Sequence, residues 1–83
     1  NIQHSQCTMI FDNEPRNKHI VDRMVKAVDD KFNLVIWPKS LENKDINDMI
    51  IAGKTQAQVA SIIYSNTFSG LSALQQINQW KRI

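Results

Sequence analysis

The chain has 83 residues, which suffices for one small domain but not for a complete single-domain polymerase or P-loop enzyme. Its hydrophobic fraction of 42% and charged fraction of 22% are ordinary for a globular protein, and extended disorder is excluded. A net charge of +2, without blocks of like charge, does not by itself indicate a nucleic-acid-binding protein. No apolar run approaches the ~18 residues of a membrane span, and the single cysteine, Cys7, excludes an internal disulfide.

The first half of the chain predicts a strand, a helix and a second strand. Residues 8–11 and 34–37 are short apolar runs bounded by turn-forming residues, which is typical of buried strands. Between them, Pro15 suits the first helical position, and apolar residues recur at helical spacing. The apolar face consists of Ile20, Val21, Met24, Val25 and Val28. We expect a helix near residues 16–31 that joins two adjacent parallel strands through a right-handed crossover.

The second half predicts three helices. The first covers residues 45–52 and stops at Gly53, a residue suited to the position after a helix end. Thr55 and Gln58 have the spacing of a capping box, so they mark the start of the second helix. A break at residues 66–70 precedes the third helix. Its inward-facing stripe is predicted to be Leu71, Leu74, Ile77 and Trp80, and Lys81 and Arg82 suit the negative end of its dipole.

The predicted fold class is therefore α/β, with a parallel βαβ core followed by a helical C-terminal half. The chain is one domain or a fragment of one, with the βαβ part in residues 1–53 and the C-terminal helices in residues 54–83. Two strands alone are marginally stable. We therefore expect either that residues 2–7 add a strand or that the rest of the sheet lies outside the chain.

Two acidic segments follow the two predicted strands. Asp12 and Glu14 come after the first strand, and Asp45 and Asp48 come after the second strand and a polar loop. Ligands of open α/β sheets bind beyond the carboxyl ends of the strands, so these side chains are expected at one edge. Carboxylate oxygens are ligands for hard cations such as Mg²⁺. Helix capping, with Asn13 and Asp45 as N-caps, explains the same residues, so both interpretations stay open.

Basic and aromatic side chains lie near the same predicted edge. Arg16, Lys18, Lys39 and Lys44 are candidates for phosphate contacts, or they form an ordinary mixed-charge rim. Trp37, at the end of the second strand, is a candidate for stacking on a base, with a core or edge position as the alternative.

These segments together resemble a known family. Residues 10–17 (Ile-Phe-Asp-Asn-Glu-Pro-Arg-Asn), 35–38 (Val-Ile-Trp-Pro) and 44–50 (Lys-Asp-Ile-Asn-Asp-Met-Ile) are similar to the Toprim region of phage DNA primases, particularly those of T4-type phages. Residues 66–71 and 80–81 resemble the C-terminal tail of that group. The resemblance implies a Toprim-like fold in a C-terminal primase fragment. The intact enzyme would synthesise short RNA primers on single-stranded DNA by two-metal nucleotidyl transfer.

The resemblance also implies roles for individual residues. Asp12 and Glu14 match the paired acidic position of the family, with Glu in place of the second Asp, and Asp45 and Asp48 match its later acidic element. The implied Mg²⁺ ligands are Asp12, Glu14, Asp45 and Asp48, of which the first three are also the catalytic residues. Arg16 and Lys44 would contact the phosphates of the nucleotide.

The resemblance further implies partners and a location. The family's Glu-Gly-bearing strand and zinc-binding domain are not found in these residues, so we expect a fragment that is inactive by itself. Zinc would be needed only by a separate N-terminal domain. The implied partners are single-stranded DNA, ribonucleotides and a replicative helicase, without a membrane, in the cytoplasm of the infected bacterial host.

Two other functions stay open. The chain is alternatively a non-catalytic replisome module that docks a replicative helicase through its C-terminal helices, with Trp80 as an anchor. A different Toprim enzyme, such as a nuclease or a topoisomerase, is the third possibility.

Overall fold

A computed structural model describes residues 6–83 as a small three-stranded sheet with four helices. The elements are β1 (Thr8–Met9), α1 (Lys18–Asp29), β2 (Asn33–Val35), α2 (Ile46–Ile51), α3 (Gln56–Ser65), β3 (Thr67–Phe68) and α4 (Gly70–Trp80). None of these helices is long and apolar enough to cross a lipid bilayer.

The sheet has the order β1-β2-β3, with β2 in the centre. β1 and β2 are parallel, with Thr8 opposite Asn33 and Met9 opposite Leu34, so the predicted parallel pair joined by a helix is confirmed. β3 pairs antiparallel to β2, with Phe68 opposite Leu34. The predicted break between the last two helices is confirmed, but the sequence does not indicate β3 within it, because a strand of two residues is too short to show alternating hydrophobicity. The suggested strand at residues 2–7 falls mostly on residues 1–5, outside the described residues.

Helix α1 begins later than predicted. Its N-cap is Asn17, whose side-chain oxygen accepts hydrogen bonds from the backbone N–H groups of His19 and Ile20 at 3.0 and 3.3 Å. Pro15 lies in the preceding turn, which is closed by a 3.0 Å bond from the Asn17 N–H to the Glu14 carbonyl. The predictions of Pro15 as the first helical residue and of Asn13 as a cap are therefore wrong, because this turn delays the helix until Asn17 can cap it.

The end of α1 also differs from the prediction. The backbone N–H groups of Lys31 and Phe32 donate to the carbonyls of Val28 and Ala27, each at 3.0 Å, which is the pattern of a Schellman motif. Lys31 occupies the left-handed position of this motif with φ of 73°. Glycine is the usual residue there, so the sequence gives no signal that the helix stops at Asp29.

The ends of α2 and α3 follow the predicted capping chemistry. The Asp45 side chain caps α2, and Gly53 adopts φ of 101° after its last turn. Thr55 Oγ1 accepts from the Gln58 N–H at 3.1 Å, and Gln58 Oε1 accepts from the Thr55 N–H at 2.8 Å. The capping box is therefore confirmed, and it fixes the start of α3.

The core has two halves on opposite faces of the sheet. Side chains alternate along an extended segment, so Leu34 and Ile36 contact α1 and α4, whereas Val35 and Trp37 contact α2 and α3. Trp37 is 2% exposed, and its indole N–H donates to the Phe11 carbonyl at 2.8 Å. Its core position is therefore confirmed, and a base-stacking role is excluded by burial.

Two residues assigned to buried faces are exposed. Val25 of α1 and Leu71 of α4 are 42% and 71% exposed, so these two predictions are wrong. Both residues line a groove between α1 and α4, at the margins of the apolar faces of their helices. Periodicity identifies the direction of such a face but not its width, which depends on how closely the neighbouring helix approaches.

Candidate functional site

The two acidic segments lie side by side beyond the carboxyl ends of β1 and β2. A backbone hydrogen bond joins the Asn13 N–H to the Lys44 carbonyl, so Asp12 and Asp45 each adjoin one partner of this bond. Asp12 is exposed, whereas Asp45 is partly buried. This juxtaposition follows from the parallel pairing of β1 and β2, which sends both connecting loops to the same edge.

Lys44 lies between carboxylates from both segments. Its ammonium Nζ is 3.5 Å from Glu14 Oε1, and its backbone N–H donates to Asp48 Oδ2 at 3.3 Å. Asp45 Oδ1 accepts from the Asp48 N–H at 2.8 Å as the N-cap of α2, so the capping interpretation is confirmed for Asp45. Any contact between Lys44 and a phosphate therefore competes with its ion pair to Glu14.

The predicted metal ligands do not form a complete cation site by themselves. Within residues 6–83, no group of three or more His, Cys, Asp or Glu side chains is arranged to hold a metal ion. Asp12 and Glu14 still offer oxygen donors of the correct type, and neither caps a helix. Mg²⁺ in nucleotide-binding sites is commonly held by one or two carboxylates together with phosphates and water. These two side chains therefore fit a partial site, and the assignment of all four ligands stays a prediction.

Asn13 is the residue that holds this edge together. Its Nδ2 group donates to the carbonyls of Leu41 and Asn43 at 2.9 and 3.0 Å. Its Oδ1 atom accepts a bond from the indole N–H of Trp80 at 3.1 Å. One amide thus connects the acidic loop after β1, the loop after β2 and the end of α4. We call these three bonds the Asn13 clamp.

The C-terminal end of α4 completes the same edge. Trp80 is only 3% exposed and packs in the core with Ala73 and Ile77, so its predicted role as an exposed anchor for a helicase is wrong. Apart from the exposed Leu71, the hydrophobic stripe of α4 packs against α1 and the sheet. Beyond the helix, the Arg82 backbone N–H donates to the Pro15 carbonyl at 2.8 Å. Docking through other surfaces of the C-terminal helices stays a prediction.

A cleft of ≈ 880 Å³ opens between these segments. Its lining comes from three parts of the chain: the turn after β1, the loop after β2 and the end of α4. The lining residues are Asn13, Glu14, Pro15, Arg16, Asn17, Pro38, Lys39, Ser40, Leu41, Glu42, Trp80 and Arg82. Of the predicted phosphate-binding pair, Arg16 therefore lines the cleft, whereas Lys44 stands outside its lining.

Sequence reasoning missed two of the residues that shape this edge. The sequence pattern predicts Asn13 as a helix cap, but its side chain bonds to residues 28 to 67 positions away, and no local pattern indicates such partners. The sequence predicts that Arg82 interacts with the dipole of the last helix, but Arg82 lines the cleft beside the acidic loop. Lys18 forms an ion pair with Asp22 at 2.8 Å on the exposed side of α1, which agrees with the mixed-charge rim given as the alternative to phosphate binding.

Comparison with known proteins identifies one relative. No family model matches the chain. The chain is 36% identical over 76 residues to the DNA primase of Enterobacteria phage T4; the match covers 89% of this chain and 22% of that primase. Most of this chain is therefore related in sequence to a phage DNA primase, although the chain spans only a small part of that relative's length.

Proposed function

We propose that this chain is part of a DNA primase and contributes the metal-binding edge of a Toprim nucleotidyl-transfer site. The sequence relationship to a phage primase supports the enzyme class. The observation that carries the site is the backbone bond between Asn13 and Lys44, which aligns the two acidic segments at one end of the parallel strands. The substrates are ribonucleotides and a single-stranded DNA template, and the reaction takes place in the host cytoplasm, alongside a replicative helicase.

Asp12 and Glu14 have the central role in this proposal. Neither carboxylate caps a helix, and Asp12 is exposed at the sheet edge, where a substrate can reach it. Mg²⁺ bound there would neutralise charge on the nucleotide triphosphate and activate the attacking 3′-hydroxyl. Asp45 supports the site from the neighbouring loop while it caps α2. Since residues 6–83 supply no complete ligand group, we propose that acidic residues elsewhere in the intact primase complete it.

Lys44 acts as an internal counterion in this site. Its ammonium group lies 3.5 Å from Glu14 and reduces the repulsion between neighbouring carboxylates while no cation is bound. Arrival of a divalent cation at Glu14 would displace this contact and leave the Lys44 ammonium available to the phosphates of the nucleotide. The ion pair is exposed on the Lys44 side, so breaking it costs little, on the order of 1 kcal/mol or less.

The test is the Asp12→Asn substitution in the intact primase. Asn preserves the shape of the side chain but lacks the charge that binds Mg²⁺, so primer synthesis should fall by about a hundredfold or more. The melting temperature without Mg²⁺ should stay the same or rise slightly, because one like-charge interaction is removed.

Asp29→Asn is the matched control, because Asp29 is also exposed but lies at the end of α1. This variant should synthesise primers at the wild-type rate. An Asp12→Asn primase that melts earlier but still makes primers at a near-normal rate would refute the catalytic assignment. It would leave a structural role as the explanation of Asp12.

A further inference from the structure

We infer that the cleft beside Glu14 binds the phosphate chain of a nucleoside triphosphate through Arg16, Lys39 and Arg82. The inference deepens the proposed function, on which its assignment to a nucleotide rests. It adds a binding site to the acidic edge and gives two residues, Lys39 and Arg82, a role that the resemblance did not assign. The three cations lie far apart in sequence, yet all three line one concavity of ≈ 880 Å³.

The backbone segments that carry the three cations are held together by hydrogen bonds. Arg16 belongs to the turn whose Pro15 carbonyl accepts the backbone N–H of Arg82 at 2.8 Å. Lys39 belongs to the loop that Asn13 holds through the carbonyls of Leu41 and Asn43. The backbone positions of all three cations are thus fixed relative to one another, while their side chains stay free to meet a ligand.

The charges of the cleft are available for an anion. All three side chains are exposed, and none takes part in the ion pairs found within residues 6–83. Two carboxylates, Glu14 and Glu42, also line the cleft, but Glu14 already has Lys44 as a counterion. Cationic side chains without carboxylate partners in a concave site are suited to phosphate oxygens, and arginine can bind them in a bidentate manner.

The size and walls of the cleft favour a nucleotide over a nucleic-acid strand. Its volume falls within the ~300–1,000 Å³ typical of small-molecule sites. Proteins that bind single strands usually present exposed aromatic rings on which successive bases stack. The aromatic residue in this lining, Trp80, is 3% exposed and its indole N–H is bonded to Asn13, so it offers no such platform. Glu14, a proposed Mg²⁺ ligand, lines the cleft, so a phosphate chain bound there would lie next to the metal-binding edge.

The test is a titration of the isotope-labelled 83-residue chain, followed by amide NMR in buffer without divalent cations. Adenosine triphosphate and inorganic tripolyphosphate should both shift the amide signals of Arg16, Lys39 and Arg82, whereas adenosine should not. The shifts should weaken as salt is added, because the contacts are electrostatic and solvent-exposed. Shifts confined to other surfaces, or no binding at millimolar concentration, would overturn the inference.

Two substitutions sharpen this test. Arg82→Gln should weaken binding of tripolyphosphate about fivefold, while the matched exposed control on α1, Arg23→Gln, should leave it unchanged. The bond to Pro15 is donated by the Arg82 backbone N–H, so the substitution retains it. Glu42→Gln should tighten binding, because it removes a carboxylate from the lining. Equal affinities for the wild-type and Arg82→Gln chains would exclude the site.

The remaining arms separate this inference from the proposed function. A short oligothymidylate that shifts the cleft signals at lower concentration than adenosine triphosphate would overturn the assignment to a nucleotide. The assay contains no metal, so binding of tripolyphosphate in the cleft does not depend on the proposed Mg²⁺ ligands. Anion binding in the cleft, together with full primer synthesis by the Asp12→Asn primase, would refute the catalytic site but retain the cleft. Loss of primer synthesis by the Asp12→Asn primase, together with no anion binding in the cleft, would refute the cleft alone.

Discussion

Removal of the Asn13 side chain should strongly destabilise the chain, although this residue belongs to a loop. The Asn13 clamp comprises two bonds donated to backbone carbonyls and one bond accepted from the Trp80 indole. Each contributes about 1 kcal/mol net, so Asn13→Ala should lower the free energy of unfolding by about 3 kcal/mol. For a domain of this size, that corresponds to a melting temperature lower by about 12–24 °C. The loss of a partner for the indole N–H of Trp80, which is 3% exposed, makes this a minimum.

Urea unfolding followed by far-UV circular dichroism measures this difference directly. Asn78→Ala is the control, since Asn78 is exposed on α4 and its removal should change stability by no more than about 0.5 kcal/mol. Asn13→Asp gives a second arm, because it preserves the acceptor for Trp80 but replaces both donors with a charged oxygen facing carbonyls. A loss below about 1 kcal/mol for Asn13→Ala would refute the clamp as a stabilising element.

The Asn13→Asp arm also predicts a pH dependence with a defined sign. Facing two carbonyl oxygens, the new carboxylate should have its pKa raised in the folded state above the unfolded value of ~3.9. Folding therefore favours the protonated form. The loss in free energy of unfolding relative to wild type should be largest at neutral pH. It should decrease as the pH falls through the raised pKa. A penalty that is the same at pH 7 and in acid would indicate that lost shape, not lost hydrogen bonding, is responsible.

Two further predictions concern helix ends. Lys31→Gly should raise the free energy of unfolding by up to about 1 kcal/mol in urea titrations, because glycine is unstrained at the positive φ that ends α1; a destabilised variant would contradict this reasoning. At Asp45, Asn should preserve stability because it caps helices as well as Asp does, whereas Ala should cost about 1 kcal/mol. If primer synthesis by the intact primase also falls in the stable Asp45→Asn variant, Asp45 acts in the site as well as in the cap.

The elements that could be predicted from the sequence are those encoded by neighbouring residues. The parallel strand pair follows from two apolar runs with an amphipathic helix between them. The start of α3 follows from Thr55 and Gln58, whose side chains interact over three positions. β3 could not be predicted from the sequence, because its pairing with β2 is fixed by tertiary contacts. Phe68 packs against the core that surrounds Leu34.

In the candidate site, too, some residues could be predicted from local sequence, whereas others depend on tertiary contacts. Its acidic residues could be found because Asp12, Glu14 and Asp45 follow predicted strands, and parallel strands send their loops to one edge. The groups that organise this edge could not be found, because Asn13 and Trp80 meet only after α4 has packed against α1. The cleft likewise depends on Arg82 reaching Pro15, which is distant in the chain, and no sequence spacing is diagnostic of that contact.

The bond between Asn13 and Trp80 also affects the order in which parts of the protein fold. It joins positions 67 residues apart, and closing a loop of that length costs roughly 4 kcal/mol of chain entropy. Such long-range contacts form late in folding, after local helices. During synthesis, the acidic loop therefore stays unclamped until the last turn of α4 has left the ribosome. A chain truncated before Trp80 would still contain every predicted metal ligand, but the loop that carries Asp12 and Glu14 would lack its fixed position.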